Sequence, residues 1–177
     1  MKKYILSALF LIALYACNNN NSPEIQPIAG NKDKTAFSTD SLQPSEMVKI
    51  LGIGLTQEEL IDDTVFFDGS KPTSWEVAGI SDVKLFKLFL KQVQYLILNN
   101  DKVQLAKLIS YPLGNSIKTE NDFIQHYERI FSKAAKLSIA RINFSQLFRN
   151  SKGVMTEEGR VWFSQLGNQF KIIAVNS

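Results

Sequence analysis

The 177-residue sequence contains only one cysteine and one histidine. A single cysteine excludes an internal disulfide, and it excludes sites in which several cysteines hold zinc or an iron–sulfur cluster. The glycine motifs that bind phosphates or dinucleotides are absent, and no G-x-S-x-G motif supports a serine hydrolase. The sequence therefore predicts no cofactor, no metal site and no catalytic residue set.

An excess of either charge is also missing, because 20 lysine and arginine side chains stand against 17 aspartates and glutamates. No long block of basic residues occurs, and nucleic-acid binding depends on such clustered positive charge. The sequence therefore predicts no nucleic-acid partner.

A long apolar run is the third absence. Tyr4–Ala16 is apolar apart from Ser7, but it is shorter than the roughly 20 residues that a membrane-spanning helix needs. Lys2 and Lys3 precede it, as in a cleaved secretory signal peptide. Residues 1–16 are therefore predicted to be removed, and the loss of Lys2 and Lys3 leaves 18 basic against 17 acidic side chains, a formal balance of +1.

The lone cysteine follows this run directly. The stretch Leu14-Tyr-Ala-Cys17 resembles a bacterial lipobox, in which the cysteine receives diacylglycerol and palmitate and becomes the first residue of the mature chain. Each buried CH₂ of such chains contributes about 0.8 kcal/mol to membrane binding. The alternatives are an ordinary signal peptide with a chance cysteine, or a buried free thiol.

The lipobox resemblance implies a location as well as a modification. It predicts a lipoprotein of the bacterial envelope whose partner is the membrane, reached through the lipid on Cys17. Asn18 stands where inner-membrane lipoproteins carry an aspartate, which implies the outer membrane with the protein facing the periplasm. Residues 17–45 are rich in Asn, Ser, Pro, Gln and Thr, a composition that cannot bury enough surface to fold. They are predicted to be a flexible tether.

Residues 46–80 are predicted to be an ordered accessory segment. Glu46–Leu51 is expected to form a short helix, and Thr56 to begin another with Glu59 at the capping-box position. Thr64–Phe67 is predicted as a short strand, closed by the turn signal Asp68–Gly69.

The same segment contains two further features. Trp75 and Val77 are expected to pack onto the following domain. Asp62 and Asp63 are adjacent, so they cannot share a face of a helix or strand. Because a metal site needs more oxygen ligands at defined spacing, this acidic pair is predicted to be solvated loop charge.

The clearest helix covers Ser81–Asn99, with Ser81 as its N-cap. The three-four spacing of apolar residues predicts its buried face, which consists of Phe86, Phe89, Leu90, Val93, Leu96 and Ile97. Further leucines widen that face, namely Leu85, Leu88 and Leu98. The wetter side is expected to carry Lys84, Lys87, Lys91 and Gln94.

Two shorter helices follow. One is capped by Asn100–Asp101 and reaches Ile109, and the other begins at Thr119, with Asp122 in the first turn where the helix dipole favours an anion. The buried stripe of the latter is predicted to be Phe123, Tyr127, Ile130, Phe131 and Ala134, with a continuation to Leu137.

The last third of the sequence changes to a period of two residues. Gly153–Thr156, Arg160–Leu166 and Phe170–Val175 are strand-like, and the segments between them are short enough for antiparallel hairpins. Helices followed by hairpins predict an α+β domain over residues 81–177.

This order of elements resembles the nuclear transport factor 2-like superfamily, in which N-terminal helices pack in the concave face of a curved antiparallel sheet. Over residues 82–176 the chain also resembles uncharacterised bacterial envelope proteins with that cone-shaped fold, in four stretches: Leu108-Ile-Ser-Tyr-Pro-Leu, Asp122-Phe-Ile-Gln-His-Tyr-Glu-Arg-Ile-Phe, Lys152-Gly-Val-Met with Gly159-Arg-Val-Trp-Phe, and Lys171-Ile-Ile-Ala-Val-Asn. The superfamily often encloses a pocket, and some members perform isomerase or dehydratase chemistry there.

Such chemistry requires a general base in a dry cavity. His126 is the sole histidine, and it lies at the border of the predicted stripe rather than at its centre. Tyr111, Tyr127 and Trp162 carry rings with a polar tip, which serve both packing and recognition. These four are the candidate ligand-binding residues, with plain core packing or surface exposure as the alternative for each.

The sequence predicts a lipid-anchored, non-catalytic binding or assembly module for an envelope protein, a small apolar ligand or a second copy of itself. One alternative is a small isomerase or dehydratase that uses the cone. Another is an inhibitor or immunity-type protein that blocks an enzyme through an exposed edge. A filled cone interior favours the interaction module, whereas an open cavity favours small-molecule binding or catalysis.

Overall fold

The computed structural model describes residues 52–176. The predicted signal peptide (1–16), Cys17, the tether (17–45) and the predicted helix Glu46–Leu51 lie outside these residues. Within them the predicted α+β class is confirmed, because helices are followed by one antiparallel sheet. None of the helices in this part of the chain is long and apolar enough to span a bilayer.

Helices occupy the first part of the described chain. Their bounds are α1 (Gln57–Leu60), α2 (Val83–Leu98), α3 (Lys102–Lys107), α4 (Glu120–Ile130) and α5 (Lys133–Ala140). The sheet follows with β1 (Phe148–Asn150), β2 (Gly153–Met155), β3 (Val161–Leu166) and β4 (Gln169–Val175). Its strands are hydrogen-bonded in the order β1-β2-β3-β4, and each pair of neighbours is antiparallel.

Two details shape the sheet. Gly153 has φ 126°, and a Cβ there would collide with the carbonyl oxygen of Phe163, so the tight approach of β2 to β3 requires glycine. A bulge between Trp162 and Phe163 places Trp162 opposite Ala174 and Phe163 opposite Ile172. Bulges bend a strand and increase its twist. The predicted hairpins are confirmed. Strand β1 was not predicted, because Phe-Arg-Asn contains a single apolar residue and shows no alternation.

The capping predictions for two helices are confirmed. Thr56 accepts a hydrogen bond from the Glu59 backbone N–H, and the Glu59 carboxylate accepts one from the Thr56 N–H, at 3.2 and 2.9 Å. Thr119 and Asp122 form the same reciprocal pair at the start of α4. Each box satisfies two backbone donors that a helix start otherwise leaves unpaired.

Helix α2 matches its predicted buried face, and all six residues of the predicted stripe are buried. Its cap was predicted wrongly: Asp82 accepts the hydrogen bond from Leu85 N–H, while the Ser81 hydroxyl and N–H are bonded to Gln165 instead. Aspartate and serine are comparably good caps, so the sequence could not choose between adjacent candidates.

Two residues of α2 contradict their predicted environment. Lys87, assigned to the wetter side, is completely buried, and Leu98, assigned to the apolar face, is 71% exposed. Helical periodicity reports only the side that faces the sheet. It does not reveal that another segment covers the polar side, nor that the last turn of a helix extends beyond its neighbours.

The stripe of α4 is confirmed at Phe123, Tyr127 and Phe131, but Ala134 is exposed. The chain changes direction at Ser132, which caps the separate helix α5 and turns Ala135 inward. Residues 133–137 are helical as predicted, but they belong to a second helix with its own cap and do not continue α4.

The accessory segment was predicted partly wrongly. Thr64–Phe67 is not a strand, since the Phe66 N–H donates to Ser70 O and the Gly69 N–H donates to Phe66 O, which makes a turn. The Asp68–Gly69 turn signal is thus confirmed. Trp75 packs against the core as predicted, whereas Val77 is 51% exposed.

Aromatic rings fill the space between α2 and the sheet. Phe86 and Phe89 of α2 contact Phe163 of β3 and Phe170 of β4, with ring centroids 5.4 to 6.4 Å apart. Three of these pairs, Phe86–Phe163, Phe86–Phe170 and Phe89–Phe163, are edge-to-face, a geometry that adds to the free energy gained from burial alone. We call these four residues the phenylalanine cluster.

Candidate functional site

The structure does not bring together the side chains of the four residues predicted to line a ligand pocket. No hydrogen bond or ring contact joins any two of them within residues 52–176. His126 is exposed on α4, and its Nδ1 lies 2.8 Å from the Asp122 backbone oxygen. A histidine in water at a helix surface is not placed to act in a dry cavity.

Tyr127 is part of the core. Its ring contacts those of Phe123 and Phe131, and the Lys136 ammonium lies 4.5 Å from its centroid. The hydroxyl is buried without a hydrogen-bond partner in the described structure. Burial, followed by the charge of Glu128, raises the pKa of Tyr127 to about 12.

Tyr111 and Trp162 are each half-buried. The Tyr111 hydroxyl donates to the Ala106 backbone oxygen at 2.9 Å, and burial together with the charges of Glu120 and Asp122 raises its pKa. Trp162 lies on β3 between the buried Val161 and Phe163. The hydroxyl of Tyr111 is therefore occupied by a structural contact.

Asp62 was predicted to be solvated, and the structure contradicts this. Its carboxylate lies 2.8 Å from Lys87 Nζ and 3.5 Å from Arg149 Nη2, and it accepts a hydrogen bond from Trp75 Nε1. The Arg149 guanidinium also stacks 4.2 Å from the centroid of the Trp75 ring. We call Asp62, Trp75, Lys87 and Arg149 the Asp62 cluster.

The cations of the Asp62 cluster are more deeply buried than its anion. Lys87 is 0% and Arg149 5% exposed, and burial lowers the pKa of Arg149 while the charge of Asp62 opposes that shift. Lys87 also donates to Glu59 O at 2.8 Å, and Arg149 Nε donates to Thr73 O at 2.7 Å. Because the contacts of Lys87 and Arg149 join residues 59–75 to α2 and β1, the cluster fastens the accessory segment to the domain.

Asp63 was also predicted to be solvated, and it is bonded instead. It accepts hydrogen bonds from the Ser145 hydroxyl, at 3.0 Å, and from Gln146 Nε2. Gln146 Oε1 in turn accepts from the Phe67 N–H at 3.1 Å. These bonds hold the Phe66–Ser70 turn against the chain between α5 and β1.

That turn forms one wall of a surface groove of about 330 Å³. Its apolar lining includes Phe66, Leu147, Phe148 and Met155, with Phe67 at the rim and 89% exposed. Ser138 and Thr156 add hydroxyls 3.0 Å apart. The charged residues of the lining are Asp68, Arg141, Glu157 and Glu158. We call this the Phe67 groove.

A second groove of about 400 Å³ lies between α2 and α5, lined by Ile97, Leu98, Leu137, Ala140, Glu128, Lys133 and Lys136. We call it the Leu98 groove. None of the four predicted ligand-binding residues lines either groove. The sequence did contain a signal for the first one, since two adjacent phenylalanines precede the Asp68–Gly69 turn, but the predicted strand concealed it.

Both outer strands of the sheet are covered at their centres. The Thr73 hydroxyl donates to Arg149 O on β1, and the Ser110 N–H donates to Ile172 O on β4. Ile172 N–H also donates to Leu108 O. Covered edges do not offer free backbone groups to another strand.

No set of three or more His, Cys, Asp or Glu side chains within residues 52–176 is placed to hold a metal ion. Comparison of the chain with protein-family models, with curated proteins and with solved structures returned no match.

Proposed function

We propose that this chain is a lipid-anchored protein of the bacterial envelope that acts as a non-catalytic binding module for a protein partner. The basic head Lys2–Lys3, the short apolar run and the lipobox-like ending at Cys17 support the anchor. Asn18 supports placement on the outer membrane, facing the periplasm.

We also propose that residues 81–177 form a nuclear transport factor 2-like cone. Helices α2 to α5 precede a four-stranded antiparallel meander, which is the order of elements in that superfamily. The bulge in β3 supports the bent sheet that such a cone requires.

The observation that carries the binding function is the phenylalanine cluster. Four contacting rings occupy the space between α2 and strands β3 and β4, where an enzyme with this architecture would need a cavity. The alternative isomerase or dehydratase requires a base in that interior, and His126 is exposed on α4. A buried, filled interior leaves the surface as the place where binding occurs.

The third function, inhibition of an enzyme through an exposed sheet edge, is less well supported. Thr73 and the Leu108–Ser110 segment already occupy the centres of the two outer strands. A partner would therefore contact side chains rather than add a strand to the sheet.

The anchor is tested by expressing the chain in a Gram-negative host with labelled palmitate, beside Cys17→Ser. We expect label and outer-membrane fractionation for the parent chain and neither for the variant. Mass spectrometry should find the mature N-terminus at Cys17. A mature chain that begins elsewhere, or label retained in Cys17→Ser, would refute the anchor.

The binding function is tested by affinity capture of a C-terminally tagged chain from cross-linked envelopes of its own cell. We expect one stoichiometric protein partner, and loss of that partner when Cys17→Ser releases the chain from the membrane. Capture of no protein at all would contradict a protein-binding module and would favour a small ligand.

A further inference from the structure

We infer that the Phe67 groove is the docking site for a partner segment in which a large apolar side chain is flanked by lysine or arginine. This inference rests on the proposed binding function and deepens it, because it names a site and the chemistry of its occupant.

The first step is the exposure of apolar surface in one place. Phe67 is 89% and Phe148 40% exposed, and the rings of Phe66 and Phe148, which both line the groove, lie 6.3 Å apart. Single exposed apolar residues are common, but several of them around a concave surface indicate an interaction site. The groove volume of about 330 Å³ is at the lower end of ligand-binding sites and suits one or two side chains.

The backbone of the turn that carries Phe67 is held in place by hydrogen bonds. Phe67 is held by its backbone through Gln146, and Gln146 is held by Asp63, so the exposed ring projects from an ordered turn. The Ser70 N–H and hydroxyl donate to Asp68 at 2.9 and 2.7 Å and close the same turn. A partner that packs on this turn therefore does not have to order its backbone, which lowers the entropic cost of binding.

The third step is the charge of the rim. Asp68 and Glu157 make no salt bridge within residues 52–176, whereas Glu158 is paired with Arg160 at 2.7 Å. The hydrogen bonds from Ser70 lower the pKa of Asp68, which keeps that carboxylate ionised. Arg141 is the cation of the lining, so the rim keeps a net negative charge. Such a rim attracts a partner with basic residues and repels an acidic partner.

The other occupants fit less well. A negatively charged lipid surface would be repelled by Asp68 and Glu157, and a nucleic acid would be repelled for the same reason. A second copy of the chain could offer the lysines of the Leu98 groove, and such a head-to-tail contact would build a ring or a filament rather than a two-fold dimer. The experiment below therefore treats self-association as an outcome.

The test uses the mature chain, residues 17–177, with Cys17→Ser so that no lipid is attached. The probes are two fluorescein-labelled peptides with the same Leu-Phe-Leu core, one with two lysines on each side and one with two glutamates. We expect saturable binding of the lysine peptide, at least about tenfold tighter than the glutamate peptide, and weakened by salt.

Variants then locate the binding. Phe67→Ser and Glu157→Lys should each weaken binding of the lysine peptide by roughly fivefold or more. The first removes the exposed aromatic ring, and the second reverses a charge of the rim. Both side chains are exposed, so the fold should survive, which circular dichroism checks. Leu98→Ser is the control, a 71% exposed apolar residue in the other groove, and it should leave the affinity unchanged.

Several outcomes would overturn the inference. They are equal affinity for both peptides, no binding up to about 1 mM, loss of binding in Leu98→Ser, or Phe67-dependent self-association in sedimentation velocity. If Phe67→Ser still captures its partner from cross-linked envelopes, the groove assignment fails while the proposed binding function stands.

Discussion

Helix α2 and the accessory segment, residues 52–80, differ in the contacts that hold them to the rest of the domain. Helix α2 uses a continuous apolar stripe that ends in the phenylalanine cluster. The accessory segment buries Ala78 and Ile80 and adds the Asp62 cluster, in which two buried cations share one carboxylate and one of them stacks on an indole. Removing an apolar side chain from the stripe leaves a cavity. Removing one partner of the buried ionic contact leaves the opposite charge buried without compensation.

This difference explains why one region was predictable and the other was not. A stripe with a period of 3.6 residues is a property of a single segment. The environment of Asp62 depends on Lys87 and Arg149, which lie 25 and 87 residues later in the sequence. The following predictions test whether the two regions respond as differently as their contacts suggest.

The largest effect is expected for Phe86→Ala. Phe86 is fully buried and contacts Trp75, Phe89, Phe163 and Phe170, so its loss leaves a cavity at the centre of the domain. We expect the free energy of unfolding, measured by urea denaturation, to fall by about 4 kcal/mol. Leu98→Ala on the same helix is the control and should change it by less than about 0.5 kcal/mol. Similar losses in both variants would contradict the assigned core.

Asp62→Ala is expected to have the next largest effect. It leaves Lys87 and Arg149 buried without their shared anion, which should cost about 3 kcal/mol. The damage should concentrate in the accessory segment, where limited proteolysis should cleave before the domain unfolds. Glu58→Ala, an exposed carboxylate on α1, serves as the control. If both variants resist protease equally, the Asp62 cluster does not fasten the segment.

How much the sequence alone could predict follows from the same distinction. The stripe of α2, most of the stripe of α4, the capping box at Thr56, the helix start at Thr119 and the C-terminal hairpins depend on neighbours a few residues apart, and they were predicted. The burial of Lys87 and the Phe67 groove require contacts between distant segments. Tyr127 illustrates the limit for site residues, because a buried aromatic ring has the same sequence pattern whether it lines a pocket or fills a core.

The capping boxes offer a smaller but matched comparison. Thr119→Ala removes the cap of α4, which packs in the core, and should cost about 1 kcal/mol of global stability. Thr56→Ala removes the same cap from the four-residue α1, so its effect should appear as faster local hydrogen exchange with a smaller change in the urea midpoint. Equal midpoint shifts would indicate that α1 unfolds together with the domain.

The smallest effect is expected at Tyr127, where it should have the opposite sign. Its hydroxyl is buried without a partner in the described residues, so Tyr127→Phe should leave stability unchanged or raise it by up to about 1 kcal/mol. Burial raises the pKa from its ordinary value of 10 to about 12. The part of the free energy of unfolding that is linked to this ionisation is therefore complete below pH 10 and is lost as the pH rises to 12, because the unfolded chain ionises first. Tyr127→Phe should remove that part of the pH dependence, while Tyr95→Phe, altered at a partly exposed ring, should retain it. A destabilised Tyr127→Phe would instead show that the hydroxyl has a partner, which would return Tyr127 to the candidates for ligand binding.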